Sequence, residues 1–295
     1  MMEATAVHSR AISTSRQERL DAIIEVLLAD DTTSAQVLAE TFGVSLMTVH
    51  RDLDELQRRG IVRKFRGGVS VARTSTYEIS AALRRRLAVP EKSAIAAAAA
   101  RTVTPGSSIL LDDSTTVAIM IDHLLDIEDL HVVTNYLPTL TRLARAATGA
   151  GSSTVTGLGG TYNVGHESFL GVGAVNAIRA LRVDVAFLST TTVDTAGLYH
   201  QEESIVAVKS AMIRSARRSV LLADSTKLGA TSLHRICDWD VVDELITDTA
   251  APVELLDTIR ARGVRVITVD PDRTENATAC SEREQGAEEY DEENT

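Results

Sequence analysis

Val44-Ser45-Leu46-Met47-Thr48-Val49-His50-Arg51-Asp52-Leu53, running on to Leu56, decides how the first part of this chain is read. Val49, Leu53 and Leu56 recur at helical spacing, so one face of a helix beginning at Ser45 turns inward. Ser45 stands at the N-cap, where a side-chain oxygen satisfies the free N–H groups of the first turn. Leu46, Met47, Thr48, His50 and Arg51 then lie on the outward side of the leading turns. Upstream, a short helix starts at Thr33 or Ser34, with Thr33 and Gln36 spaced as a capping box. It carries Val37, Leu38 and Phe42 inward and stops at Gly43, a residue that tolerates the left-handed conformation of helix ends. A still earlier helix places Leu20, Ile23, Ile24, Leu27 and Leu28 on one stripe. Two helices joined through Gly43-Val44-Ser45 make a helix-turn-helix.

In such folds the second helix enters the major groove of double-stranded DNA, its first residues facing base edges. Thr48 suits a base or a phosphate, and His50 and Arg51 suit guanine edges or the backbone. Gly60 ends the helix, and the run Ile61 to Val71, broken by Gly67-Gly68, reads as a short hairpin or wing. Arg63, Lys64 and Arg66 on that wing would lie against phosphates. The candidate DNA-contacting set is therefore Ser34, Ser45, Met47, Thr48, His50, Arg51, Arg63, Lys64 and Arg66. A competing reading is a three-helix packing or dimerisation element whose arginines are merely solvated.

Charge placement favours nucleic acid although the whole chain carries −11. From Met47 to Arg73 there are seven basic residues against three acidic, whereas from Asp270 onward ten acidic residues face two basic. Such asymmetry accompanies nucleic-acid binders. The 295 residues suffice for two domains, and with 44% hydrophobic but only 3% aromatic residues the cores must be aliphatic. No apolar run reaches the roughly 18 residues a membrane helix needs, and residues 1–19 lack a secretory pattern. Cys237 and Cys280 form no metal-type or redox-type spacing. A cytoplasmic location without membrane contact is expected, with no metal and no cofactor. The expected organisation is a structureless segment 1–15, a winged helix-turn-helix 16–72, a linker 73–90 with one helical stretch near Ser80–Leu87, an α/β domain 91–270 and a solvated acidic tail 271–295.

From Glu91 onward β-rich runs alternate with helical ones. Strands are expected at Ser108–Leu111, His131–Val133, Thr154–Leu158, Val183–Leu188, Val220–Ala223, Glu244–Thr247 and Val264–Val269. Helices are expected at Val117–Leu125, Pro138–Ala147, Val206–Ala216 and Val253–Arg262. This alternation implies an open, mostly parallel sheet covered by helices. Ligands of such sheets collect at the carboxyl ends of strands. Polar residues stand there in Asp112-Asp113-Ser114-Thr115-Thr116, Thr134-Asn135, Gly159-Gly160 and Asp224-Ser225-Thr226-Lys227. Hydroxyls and amides at a helix start suit a phosphate, and Asp112 suits sugar hydroxyls. Lys209 and Lys227 are candidate cations. Ser114 or Thr115 as a simple N-cap, and Lys209 as an exposed helix charge, are the plainer alternatives.

The segment Val44 to Leu53, with Leu56, Gly60 and Lys64-Phe65-Arg66-Gly67-Gly68, closely resembles the signature of the DeoR family of sugar-metabolism repressors. Two departures stand in it: His50 where the family usually has Arg, and Arg66 where it commonly has His. Both keep hydrogen-bonding capacity, so a different operator is expected rather than loss of DNA binding. The resemblance extends over the second domain, which in this family looks like sugar-phosphate isomerase and aminosugar-phosphate deaminase folds. It implies a phosphorylated sugar or related effector held by Asp112, Ser114, Thr115, Thr116, Thr134, Asn135, Gly159, Gly160, Lys209, Asp224 and Lys227. Within Phe187 to Asp194, Ser189 and Thr192 stand where the family usually has glycines, which narrows the backbone's approach to a ligand.

These readings converge on a repressor of a carbohydrate-metabolism operon, acting as a homo-oligomer (a dimer or tetramer) on symmetric DNA. Two rivals stand beside it. One is an isomerase or deaminase with a DNA-binding appendage, for which Asp112, Asp194 and His200 offer acid–base groups. The other is an α/β module that only pairs the DNA-binding heads.

Overall fold

The computed structural model describes residues 15–30, 32–58, 61–71, 81–146 and 153–273. The expectations placed on residues 1–14, on Gly60, on 73–80 and on the acidic tail beyond Arg273 lie outside these residues. The chain divides into two compact units, Met1–Leu87 and Ala88–Thr295.

The first unit contains α1 (Arg16–Asp30), β1 (Thr32–Thr33), α2 (Ala35–Phe42), α3 (Leu46–Arg58), the hairpin of β2 (Val62–Phe65) and β3 (Gly68–Val71), and α4 (Ala81–Arg84). Leu20, Ile23, Ile24 and Leu27 of α1 meet Leu38 of α2 and Val49, Leu53 and Leu56 of α3 in one core. Ile61, Val62 and Val69 seal the hairpin onto it. Each such side chain removed from water contributes about 1.5–3 kcal/mol. Gly43 ends α2 at φ +62°, the left-handed conformation its lack of a side chain permits. Val37, expected inward, is instead 48% exposed, because eight-residue α2 buries only Leu38 and Ala39. The hairpin gains a third, antiparallel strand in β1, which the sequence pattern did not indicate. Leu83 and Leu87, expected within a linker, pack against this same core.

In the second unit α5 (Val89–Ala100) precedes β4 (Ser108–Leu111), α6 (Thr115–Ile119), α7 (Ile121–Leu124), β5 (His131–Thr134), α8 (Leu137–Ala146) and β6 (Thr154–Gly157). A hairpin of β7 (Thr161–Asn163) and β8 (Ser168–Leu170) leads into α9 (Gly171–Arg179) and β9 (Val183–Leu188). The chain then forms β10 (Thr192–Val193), β11 (Gly197–His200), α10 (Glu203–Ser215) and β12 (Ala216–Leu222). It ends with β13 (His234–Asp238), β14 (Glu244–Asp248), α11 (Val253–Ala261) and β15 (Arg265–Val269).

Seven strands form one sheet in the order β15-β14-β12-β9-β4-β5-β6, with every neighbouring pair parallel. They are the seven that the alternating pattern predicts. The continuous apolar character of the inner strands β4, β9 and β14 has a simple cause, since both faces are covered, whereas the edge strands β6 and β15 are partly exposed. Ile109, Leu111, Val185 and Phe187 face a core shared with α5, α6 and α7. Leu110, Ala186 and Leu188 face a core shared with α9, α10 and α11. Trp239, between β13 and β14, is fully buried in the latter core and its indole N–H donates to the Asp194 carbonyl at 2.8 Å. The chain lays β4, β5 and β6 outward to one edge, then returns to place β9 on the other side of β4. That reversal makes the carboxyl ends of β4 and β9 the topological switch point, where ligands of open parallel sheets bind.

Candidate nucleic-acid interface and ligand site

Ser34 and Ser45 are both helix caps. Ser34 Oγ accepts from Val37 N at 3.2 Å, and Ser45 Oγ accepts from Thr48 N at 3.1 Å while bonding Thr48 Oγ1 at 2.8 Å. Ser34, and not Thr33, therefore begins α2. Capping fixes where α3 starts and thus which residues its first turn presents. With Val49, Leu53 and Leu56 buried, Met47 is 63% exposed, and His50 and Arg51 are exposed beside it. On the wing, Arg63 and Arg66 are exposed, whereas Lys64 reaches back to Asp54 of α3. That partner holds the Asp54 carboxyl below the usual carboxylate range. Gly67 turns the wing at φ +94°. Asp52 behaves unlike its acidic neighbours: it is buried and bonded to Arg16 and Arg19 of α1.

The carboxyl end of β4 delivers Asp112 to this switch point, where it is fully buried. Its Oδ2 accepts from the backbone N–H of Ser189, at the end of β9, at 2.8 Å, and from Lys209 Nζ at 2.5 Å. Its Oδ1 accepts from Ser114 N at 2.9 Å. Lys209 also donates to Asp113 Oδ1 at 3.3 Å, and Ser168 Oγ donates to Asp113 Oδ2 at 2.7 Å. Lys209 is thus not an exposed helix charge but a buried cation between two carboxylates. Ser114 caps α6 by accepting from Val117 N, as the plainer reading of that loop has it. Thr115 and Thr116 are buried in the first turn of α6.

β8 extends the network toward β5. Asn135 Nδ2 donates to the Phe169 carbonyl at 3.1 Å, and Phe169 N donates back to the Asn135 carbonyl at 2.9 Å. Thr134 Oγ1 accepts from Tyr136 N. On the far side, Lys227 Nζ donates to Ser189 Oγ at 3.1 Å and stands 3.9 Å from Asp224. Gly160 packs where no side chain fits: a β-carbon there would lie 2.5 Å from the Leu170 carbonyl oxygen. Gly159 faces open space. A second polar group stands nearby in sequence, with His166 Nε2 2.8 Å from Glu202 Oε1 and the His166 and His200 rings 6.3 Å apart.

Family models match nearly the whole described chain. Residues 19–75 match the DeoR-like helix-turn-helix domain, and residues 88–249 match the DeoR C-terminal sensor domain. The chain belongs to the DeoR family. Among its DeoR-type relatives, the HTH-type transcriptional regulator YgbI of Escherichia coli is 32% identical over 80% of this chain and 91% of that one. The HTH-type transcriptional repressor GlcR of Bacillus subtilis is 27% identical over 87% and 98%, and the glycerol-3-phosphate regulon repressor of E. coli 26% over 81% and 93%. DeoR membership makes the chain a DNA-binding transcriptional regulator and not an enzyme. Of solved structures, ribose 5-phosphate isomerase A of Methanocaldococcus jannaschii is similar at TM-score 0.34 and 17% identity, over 46% of this chain and 53% of that one. No described helix of the DeoR-family chain is long and apolar enough to cross a membrane.

Sequence reading placed Asp113 in the candidate loop without a role of its own and named Ser189 only as a departure from the family's glycine; it missed Ser168 in the network and Asp52 as a buried partner. A usable signal existed for Asp52 and Lys209. Asp52 falls on the stripe Val49, Asp52, Leu53, Leu56, and Lys209 on Ile205, Val208, Lys209, Met212; a charge at such a position must be paired inside. Ser168 carried none, since hairpin β7–β8 has no periodic signature.

Proposed function

We propose that this DeoR-family regulator represses a carbohydrate-metabolism operon and is released or retained by a phosphorylated sugar or polyol bound at the β4–β9 switch point. The observation that carries the effector reading is a set of buried polar atoms without protein partners. They are Thr116 Oγ1, Asn135 Oδ1, Thr191 Oγ1 and Gln201 Oε1. They follow the carboxyl ends of β4, β5, β9 and β11. Buried polar groups normally have partners, so this set fits a ligand rich in hydroxyls. The names of relatives such as the glycerol-3-phosphate regulon repressor support the same class.

In this reading Lys209 holds Asp112 and Asp113 in place for sugar hydroxyls, and the less buried Lys227 meets the phosphate. The α9 start at Gly171, whose N-cap Leu170 offers no side-chain acceptor, adds N–H groups beside Gly160. On DNA, Met47, Thr48, His50 and Arg51 read base edges while Arg63 and Arg66 neutralise phosphates. The protein works in the cytoplasm as a homo-oligomer whose paired heads match paired half-sites. A coupling of about 1–3 kcal/mol between the sites gives a 5- to 150-fold change in operator affinity. The test is operator binding by the purified protein with and without pentose, hexose and triose phosphates. A changed affinity with one of them is expected; indifference to all of them overturns the sensing half.

A further inference from the structure

Asp52 lies one residue from exposed Arg51 on α3, yet only 1% of its surface meets solvent. Both its oxygens are taken by α1: Oδ2 by Arg19 Nε at 2.6 Å and Oδ1 by Arg16 Nε at 3.3 Å. The two arginines differ in exposure, with the Arg19 side chain 14% exposed and that of Arg16 57%. Glu55 bonds Arg58 and stands 3.9 Å from Arg16 Nη2. Arg16, Arg19, Arg51 and Arg58 line one open groove of about 540 Å³ together with Thr48, Asp52 and Asp54. Asp54 is drawn off by Lys64. Two guanidinium groups thus share one buried carboxylate, leaving the lip of the groove cationic next to Arg51. A guanidinium has five N–H donors in a fixed fork, so one bond to Asp52 aims Arg16 without exhausting it.

We propose that Arg16 seats a DNA phosphate at the edge of the groove entered by α3, and that Asp52 is the positioning residue that turns it there. A buried carboxylate is costly to desolvate, and an apolar side chain would fill the same place at less cost if packing were its only task. Arg16 lies on α1, outside α2, α3 and the hairpin from which DNA contacts were expected. The proposal rests on the reading of α3 as the DNA-binding helix.

Phosphate contacts are indifferent to sequence, so a mixed-sequence 30-base-pair duplex serves as the probe. Its affinity for the full chain is followed by fluorescence anisotropy across a salt series, with thermal midpoints measured in parallel. One phosphate contact changes the slope of log K against log salt by about 0.9, or about eightfold in affinity at 0.1 M salt. Arg16→Ala should lose that much while its thermal midpoint stays above the assay temperature, since Arg19 still holds Asp52, and Arg16→Lys should keep the slope. Asp52→Asn should bind more weakly although it removes a negative charge from the DNA-facing head. A wild-type slope in Arg16→Ala overturns the phosphate seat, and tighter binding by Asp52→Asn overturns the positioning role. If Asp52→Asn does not fold, the Arg16 pair decides. Failure of the underlying reading looks different: the wild type then ignores the duplex and Arg51→Ala changes nothing.

Discussion

Single charged side chains in apolar surroundings carry most of the information in this molecule. Lys209 and Asp112 are both buried, and the lysine's charge is balanced by Asp112 and Asp113. Asp112→Ala should therefore cost about 3–5 kcal/mol, because it strands part of a buried charge; urea unfolding measures this. The Cys237 thiol is pushed up to about 12, chiefly by burial and secondarily by Asp238 and Asp240. A value above the ordinary 9.0 stabilises fully below that pH and is lost as pH rises toward 12. Thermal midpoints taken between pH 8 and pH 11 should fall more steeply for the wild type than for Cys237→Ala. Asp52 and Lys209 were both legible as charges on apolar stripes; Lys209 was named as a candidate cation, though not as the buried partner of Asp112 and Asp113, while the default of a solvated charge hid Asp52. The pairing of Asp113 with Ser168 was hidden for a different reason: 55 residues separate them, and only the fold brings them to 2.7 Å.

At the scale of elements, legibility followed burial. The inner strands β4, β9 and β14 could be read because they are short apolar runs covered on both faces, the partly exposed edge strands β6 and β15 because they keep the strand–helix alternation, and the helices of the first unit because one face is wet. Alanine-rich α5 escaped notice: Ala94, Ile95, Ala96, Ala99 and Ala100 are all buried, so no polar stripe contrasts with the apolar one. The strand β10 escaped because it has two residues, and β11 and β13 because Gly-Leu-Tyr-His and His-Arg-Ile-Cys-Asp mix polar with apolar residues and contain no continuous apolar run. Two element junctions invite tests. Ser34→Ala removes the cap of α2 and should lower the stability of the first unit by about 1 kcal/mol, read from its unfolding transition. Gly160→Ala places a carbon against the Leu170 carbonyl where β8 meets α9. It should cost about 1–3 kcal/mol through forced displacement, and in our reading it also blunts the response to effector in operator-binding assays.

In our reading the two units divide the labour of the whole molecule: one meets DNA, and the other binds the effector. If paired heads read paired half-sites, footprinting should show two protected segments separated by one helical turn, about 10–10.5 base pairs, or a multiple of it. Lys227→Met should keep operator affinity while abolishing the effect of the phosphorylated ligand, since Lys227 belongs to the proposed effector site alone. The tryptophan described between β13 and β14 gives this unit an optical gauge. It is the chain's sole tryptophan, wholly shielded, and its indole is tethered to the segment that follows Ser189 and Thr191. Its emission should be blue in the resting protein, and any rearrangement that frees the tether will show as a red shift and faster acrylamide quenching, with no dye attached.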